Sequence, residues 1–341
     1  MWTNRATWPS RSRWSEAKPF ALCATASRTP NARCSQRADC STKGTSLYQC
    51  FNDDIQADQL DQQPFQFGHR LMGHPALELS NLASALPALG ERVMYSKGLS
   101  DLGVNFDRAH IDHHNGLSIE ETIEQIRTTQ SYIAVRGPEH HPSFRELHRV
   151  MCEDIGKLMR TNGTGERPDS AEMWLFIASP GALTPFHFDR FSNFLLQFRG
   201  SKEVAVFKPW NDAVITPQQY EAYTARSDRQ MVWSEDKDAF AHKFRFHPGQ
   251  AIHIPFLGGH YVKNGPEDVS ISLAIFYDTE QTQRFKHALV VNDLLRRRLA
   301  PLGLQPSAVN SPGSLDWLKS GSYPLIKSVA NMKSRVSALW Q

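Results

Sequence analysis

After Gly165 the chain breaks into seven short runs, 173–178, 186–190, 193–199, 203–208, 242–246, 251–254 and 270–276, each rich in β-branched or aromatic residues. Gly, Pro or Asp lies in or beside the gaps between them. Runs this short leave no room for helical turns, and their spacing fits a sandwich or barrel of antiparallel strands. The Gly200-Ser201 pair between two runs matches a two-residue hairpin. Whatever else the chain does, about a hundred of its residues must close into a β-core.

The preceding stretch is a helical prelude around a few strands. Leu79, Leu82 and Leu86 recur at helical spacing, and Pro87 is expected to stop that helix. Residues 92–96 and 131–135 read as strands. Ser118 with Glu121, and Ser143 with Glu146, have the spacing of capping boxes, followed by apolar stripes at Ile119, Ile123 and Ile126 and at Phe144, Leu147, Met151 and Ile155. Beyond Gln281 helical pattern returns over 288–299 and 325–340, separated by a loop rich in Pro, Ser and Gly. The stripe of Val329, Met332, Val336, Leu339 and Trp340 is amphipathic, and packing on the body is the favoured reading over a homodimer interface.

Charge separates the N-terminus from the rest. Residues 1–50 hold eight basic side chains against two acidic ones, so +6 of the total of +3, which leaves the remainder at −3. Four of the five cysteines lie in those fifty residues as well, without CxxC spacing. Residues 1–57 therefore read as a disordered arm, an organelle-targeting peptide, or sequence upstream of the true start. Residues 58–280 are expected to form the catalytic body, and 281–341 a helical extension. No run approaches the ~18 apolar residues of a membrane span, and a mildly acidic body argues against a broad nucleic-acid face. A body with one cysteine, Cys152, suits the cytoplasm, with an organelle as the alternative if the arm is a transit peptide.

The chemistry concentrates in Thr184-Pro185-Phe186-His187-Phe188-Asp189. On a strand His187 and Asp189 project to one face, because side chains alternate with period two. Imidazole and carboxylate together supply two members of a facial triad, and a second histidine on a neighbouring strand would complete it, leaving open positions on an octahedral ion. Among 14 histidines an H-x-D triplet alone is weak, so the third ligand decides the matter. His260 lies after the turn-strand-Pro segment that ends at Pro255, at the rim of the expected barrel. His253, inside that strand, is its rival, and read alone it is a packed strand histidine. A second triplet, His110-Ile111-Asp112 with His113 and His114, precedes Asn115-Gly116 and reads as a polar loop, which His140 and His141 could join.

Thr184-Pro-x-His187-x-Asp189, Asn193, Gly200-x-Lys202 and Ile254-Pro255 followed by His260 together resemble the JmjC/cupin-like Fe(II)- and 2-oxoglutarate-dependent oxygenases, with the asparaginyl-hydroxylase-like members nearest in pattern. The resemblance covers about residues 170–280 and extends over the prelude. It implies a mainly β fold with flanking helices around a double-stranded β-helix, a jelly roll. It implies metal ligands at His187, Asp189 and His260. Thr184 and Lys202 would take the distal carboxylate of 2-oxoglutarate, with Asn193 near its other end. The implied reaction consumes O₂ and 2-oxoglutarate, yields succinate and CO₂, and hydroxylates a protein side chain or small molecule. A buried Lys202 is consistent with this, since a desolvated ammonium needs an anion.

Two departures bear on the site. Gly258 and Gly259 stand where relatives have bulky aromatics and are expected to widen its mouth, and Ala274 replaces a polar residue near the co-substrate. Asp189 is retained, which favours hydroxylation or demethylation over halogenation, with hydroxylation ahead of demethylation. A zinc or manganese cupin enzyme, and a cupin-like binding protein without turnover, are the alternatives. Arg296-Arg297-Arg298 reads as a solvated helix end.

Overall fold

The structure, a computed structural model, describes residues 46–97, 99, 101–103, 113–227 and 232–338, with side chains through residue 328. Residues 1–45, the His110-Ile111-Asp112 triplet and the side chains of the Val329–Trp340 stripe lie outside that range.

Among the described residues eleven strands form two sheets. β1 (Phe65–Gly68), β2 (Val93–Lys97) and β3 (Ser131–Arg136) come from the prelude. The runs after Gly165 become β4 (Asp169–Ala178), β5 (Leu183–Phe188), β6 (Ser192–Arg199), β7 (Lys202–Phe207), β8 (Ala241–Phe246), β9 (Gln250–Ile254), β10 (Gly259–Asn264) and β11 (Ser270–Asp278). The larger sheet has the order β1-β9-β6-β11-β4-β3-β2 and the smaller β5-β10-β7-β8. The chain steps between sheets after β4, β5 and β6, and again after β8, β9 and β10. Strands remote in sequence therefore become neighbours, and this alternation is the double-stranded β-helix. The central strand β6 buries both faces over most of its length. In β6, Phe194 and Leu196 face outward while Leu195 faces the interior with Val204, Val206, Ile252, Ile254 and Val262.

That alternation corrects one expectation. Gly200-Ser201 is not a hairpin: β6 lies in the larger sheet and β7 in the smaller, so the pair is the corner where the chain changes sheets. Gly200 sits at φ 66°, and a Cβ there would fall 2.7 Å from the Val269 carbonyl oxygen. Only glycine fits so tight a left-handed corner.

Among the described residues six α-helices flank the sheets: α1 (Leu79–Leu89), α2 (Ile119–Glu124), α3 (Pro142–Thr161), α4 (Pro217–Thr224), α5 (Glu280–Leu299) and α6 (Asp316–Ala338). The apolar stripe of α3 is buried as its spacing requires. The Ser118–Glu121 capping box is present, whereas α3 is capped one residue before its Pro142 by His141, whose Nδ1 accepts from Ser143 N–H. Glu146 pairs instead with Arg149 on the surface. α1 runs past Pro87 to Leu89, since a proline in the last turn forfeits only one backbone bond. α6 starts at Asp316 and carries Pro324 inside it, so the C-terminal helix is longer than its pattern indicated.

Packing also begins before residue 58, within the stretch read as an arm. Tyr48, Cys50 and Phe51 are buried, with Phe51 against Phe67 and Phe194. β1 covers the edge of β9, Phe65 opposite His253. The arginine run is not wholly solvated either: Arg296 clamps the buried Glu221 of α4 at 2.7 Å and 3.0 Å.

Candidate metal centre and cavity

β5 and β10 are antiparallel neighbours and place His187 directly opposite His260. Two residues further along β10, Val262 pairs with Thr184, three residues back along β5. The extra residue is a β-bulge at Pro185-Phe186. It turns Thr184 and His187 to the same cavity despite their odd spacing. Asp189 lies just past the end of β5, and its backbone carbonyl accepts from Leu257 N–H at 3.2 Å, tying the exit of β5 to the entry of β10.

The two imidazole rings are 4.2 Å apart between centroids, and His260 Nε2 is 3.7 Å from Asp189 Oδ2. One candidate ligand atom from each of His187, Asp189 and His260 lies within 4.8 Å of the others, and no other such group occurs among the described residues. Backbone carbonyls fix the tautomers. His187 Nδ1 donates to the Pro185 carbonyl at 2.7 Å and His260 Nδ1 to that of Gly258 at 3.0 Å. A carbonyl only accepts, so each Nδ1 carries the proton and each Nε2 keeps its lone pair. Burial, with proximity to the His187 imidazole adding to it, lowers the His260 pKa to about 4 against the opposing pull of Asp189, so that lone pair stays unprotonated at neutral pH. Two neutral nitrogens and a carboxylate, oriented by fixed outer partners, suit a divalent transition-metal ion.

These residues line a cavity of about 360 Å³ that also contains Thr184, Asn193 and Lys202. Lys202 is 5% exposed and donates to Asn264 Oδ1 at 2.7 Å, its partner across β7 and β10. Desolvation lowers its pKa to about 7. Thr184 shares a hydrogen bond with Tyr132 of β3. Asn193 Oδ1 is buried without a hydrogen-bond partner. His260 and Asn264 are four residues apart on β10, on the same face by strand parity, so the ammonium held by Asn264 and the carboxylate-imidazole cluster share one chamber.

His253 is the packed histidine its strand position suggested. It lies between Phe65 and Phe194, donates from Nδ1 to Asn193 O at 3.2 Å, and accepts at Nε2 from Asp61 N–H at 3.0 Å. Gly258 and Gly259 do not widen the mouth. Both are buried, and a Cβ on Gly259 would meet Ile215 and the Phe186 ring at 3.0 Å. Ala274 belongs to the apolar interior, and Asn264 supplies the polar partner for Lys202.

Asn264, Tyr132 and Asp61 carry no motif and were invisible in the sequence. Only a recognised β10 would have exposed Asn264, through the parity of 260, 262 and 264. Asp61 clasps both turns that present ligands. It accepts from Ser192 Oγ at 2.7 Å, near Asp189, and from Phe256 N–H at 2.9 Å, near His260. Burial raises its pKa to about 6. Asp61→Ala should destabilise the fold by roughly 2–4 kcal/mol in urea denaturation, because two buried donors lose their acceptor. Between about pH 4 and 6 the folded form binds this proton more tightly than the unfolded form does, so the Asp61 contribution to stability falls as pH rises. Asp61→Asn should remove that slope; an unchanged pH profile would exclude Asp61 as its source.

Residues 5–283 match the cupin-like domain. The chain belongs to the cupin-like domain family. The match begins within the segment that composition set apart as an arm, and it agrees with the family resemblance carried by the motif. No curated protein matches the sequence. Solved structures similar to this cupin-like chain include Escherichia coli ribosomal oxygenase YcfD, at 13% identity and TM-score 0.40 over 78% of this chain and 63% of that one. Oxalate decarboxylase of Lactobacillus farciminis aligns at 17% identity and TM-score 0.23 over 36% of this chain and 27% of its own. The Bacillus subtilis oxalate decarboxylase aligns at 18% and 0.22 over 38% and 28%. The cupin-like chain thus spans less than two thirds of each of these proteins.

Proposed function

We propose that this cupin-like protein is an Fe(II)- and 2-oxoglutarate-dependent oxygenase that hydroxylates its substrate. One observation carries the reading: a buried lysine shares a single chamber with a His/Asp/His cluster. The N, N, O donor set by itself suits manganese or zinc equally well. A desolvated ammonium at the far end asks for an anion, and a chelating di-acid satisfies both ends at once.

In this reading His187 Nε2, His260 Nε2 and the Asp189 carboxylate hold the ion. When bound, the ion supplies O₂ activation coupled to oxidative decarboxylation of 2-oxoglutarate, with succinate and CO₂ as products. The chain's own residues do the positioning. Lys202, oriented by Asn264, takes the distal carboxylate, with the Thr184 hydroxyl as a further donor whose rotamer Tyr132 fixes. Asn193 offers a buried amide beside the chelating end. The apolar interior of the barrel, Leu195, Ile254 and Val262 among it, keeps the chamber dry, where each polar contact is stronger than in water.

The test is spectroscopic. Anaerobic addition of Fe(II) and 2-oxoglutarate to the purified chain should produce the weak visible charge-transfer band of the chelate. Absence of the band, with Fe(II) bound, would defeat the assignment and return the site to a manganese or zinc chemistry.

A further inference from the structure

We propose, building on the oxygenase reading, that the outer half of this cavity receives a small molecule carrying both an aromatic ring and a carboxylate. One wall of the cavity is a continuous series of half-buried rings. Tyr132 lies 5.9 Å from Phe176, Phe176 stacks at 6.1 Å on Trp174, and Trp174 meets Phe276 edge-on at 6.1 Å. Phe191 extends the series at 6.5 Å from Phe276. The wall is held in place. Glu172 accepts from Trp174 Nε1 at 3.1 Å and from Arg136 Nε at 2.8 Å. Preset flat apolar surface of this kind is covered best by another flat ring.

The sign of the ligand follows from the charges. A cation is the other natural guest of an aromatic wall, but the protein supplies its own: Lys286 Nζ lies 3.8 Å from the Phe191 centroid and the Arg136 guanidinium 6.0 Å from that of Trp174. At the deep end a divalent ion, a dianionic co-substrate, Asp189 and Lys202 together sum to neutrality. The lining nearer solvent then sets the field, and among the described residues it holds Arg136, Arg190 and Arg226 against Glu172. Such an excess of positive charge in a cleft attracts an anion and repels an amine. Size limits the rest. The cavity is near the small end of the ~300–1,000 Å³ usual for ligand sites and is shared with the co-substrate. What remains admits one ring with a short acid arm.

The experiment measures binding to the full chain loaded with Zn(II), which cannot turn over, and saturated with 2-oxoglutarate, by calorimetry. The probes are 3-phenylpropionate, its amide, 3-cyclohexylpropionate and phenethylammonium. The acid is expected to bind at least tenfold tighter than the amide, the cyclohexyl acid or the ammonium. Trp174→Leu should cost about tenfold in that affinity. Arg226→Glu, a change on an exposed turn that leaves the core untouched, should abolish the preference for the acid. Equal affinity for acid and amide, or tighter binding of the ammonium, overturns the proposal. So does a short peptide with an internal Phe beside an Asp that binds tighter than the free acid. The charge-transfer band separates this from the reading beneath it. A band without anion-selective binding sinks the substrate class alone, and selective binding without a band sinks the oxygenase reading alone.

Discussion

His187→Ala should eliminate the Fe(II)/2-oxoglutarate charge-transfer band and lower divalent-metal affinity by at least ~100-fold. Loss of an outer hydrogen-bond partner to a ligand already costs ~10–100-fold, and His187 is itself one of three donors. The geometry makes the effect specific. Its Nδ1 is committed to the Pro185 carbonyl, so the imidazole has one lone pair to offer and the cluster has no spare nitrogen. His253 cannot substitute, because both its ring nitrogens are engaged behind β6 and its own burial keeps it neutral, with its pKa lowered to about 3. His253→Gln should therefore leave the spectrum in place, however much stability it costs. Titration of Co(II) into both variants checks this. Retention of the wild-type cobalt spectrum in His187→Ala would remove that residue from the site.

Lys202→Met should lower 2-oxoglutarate affinity by about 100-fold or more, on the order of 3 kcal/mol, as expected for a buried charge partner. The same substitution should raise the stability of the ligand-free protein by roughly 1–4 kcal/mol, because methionine fills the volume without a desolvated charge. Proton linkage gives a further signature. The folded pKa of Lys202 is about 7, against 10.5 when exposed. Between those values the unfolded chain binds more protons, so ligand-free stability gains from this group as pH rises from 7 towards 10.5. A bound di-acid favours the ammonium. At pH 8 the binding of 2-oxoglutarate should thus take up a proton, and its calorimetric enthalpy should vary with the ionisation heat of the buffer. Buffer-independent enthalpy, or unchanged affinity in Lys202→Met, would take the lysine out of the anion site.

How far the sequence reached depends on the kind of information each residue carries. Seven of the eight core strands were legible because apolar runs between Gly, Pro and Asp have few other ways to fold. β10 was lost among glycines and charges, Gly259-His260-Tyr261-Val262-Lys263-Asn264, although it carries a candidate ligand. β1 was lost because four residues hold too little pattern to stand out. The sheet change at Gly200-Ser201 was read as a hairpin, since local sequence records that the chain turns but not which strand it will pair with next.

By itself the sequence determined the β-core, the prelude helices, and the short list from which a metal centre could be built. Strand parity and the family motif together placed His187, Asp189 and His260 on it, and the motif alone set Thr184, Asn193 and Lys202 beside it. The tertiary structure decided how these groups meet. Register set His187 opposite His260, a bulge brought Thr184 to their side, and carbonyls of Pro185 and Gly258 chose the tautomers. It also found Asn264 beside Lys202, Asp61 beneath both ligand turns, and the ring wall of β3, β4 and β11. The division has one physical cause. Strand formation is governed by neighbours in sequence, whereas hydrogen-bond direction, burial and charge depend on residues up to two hundred positions away that only the folded sheets bring together.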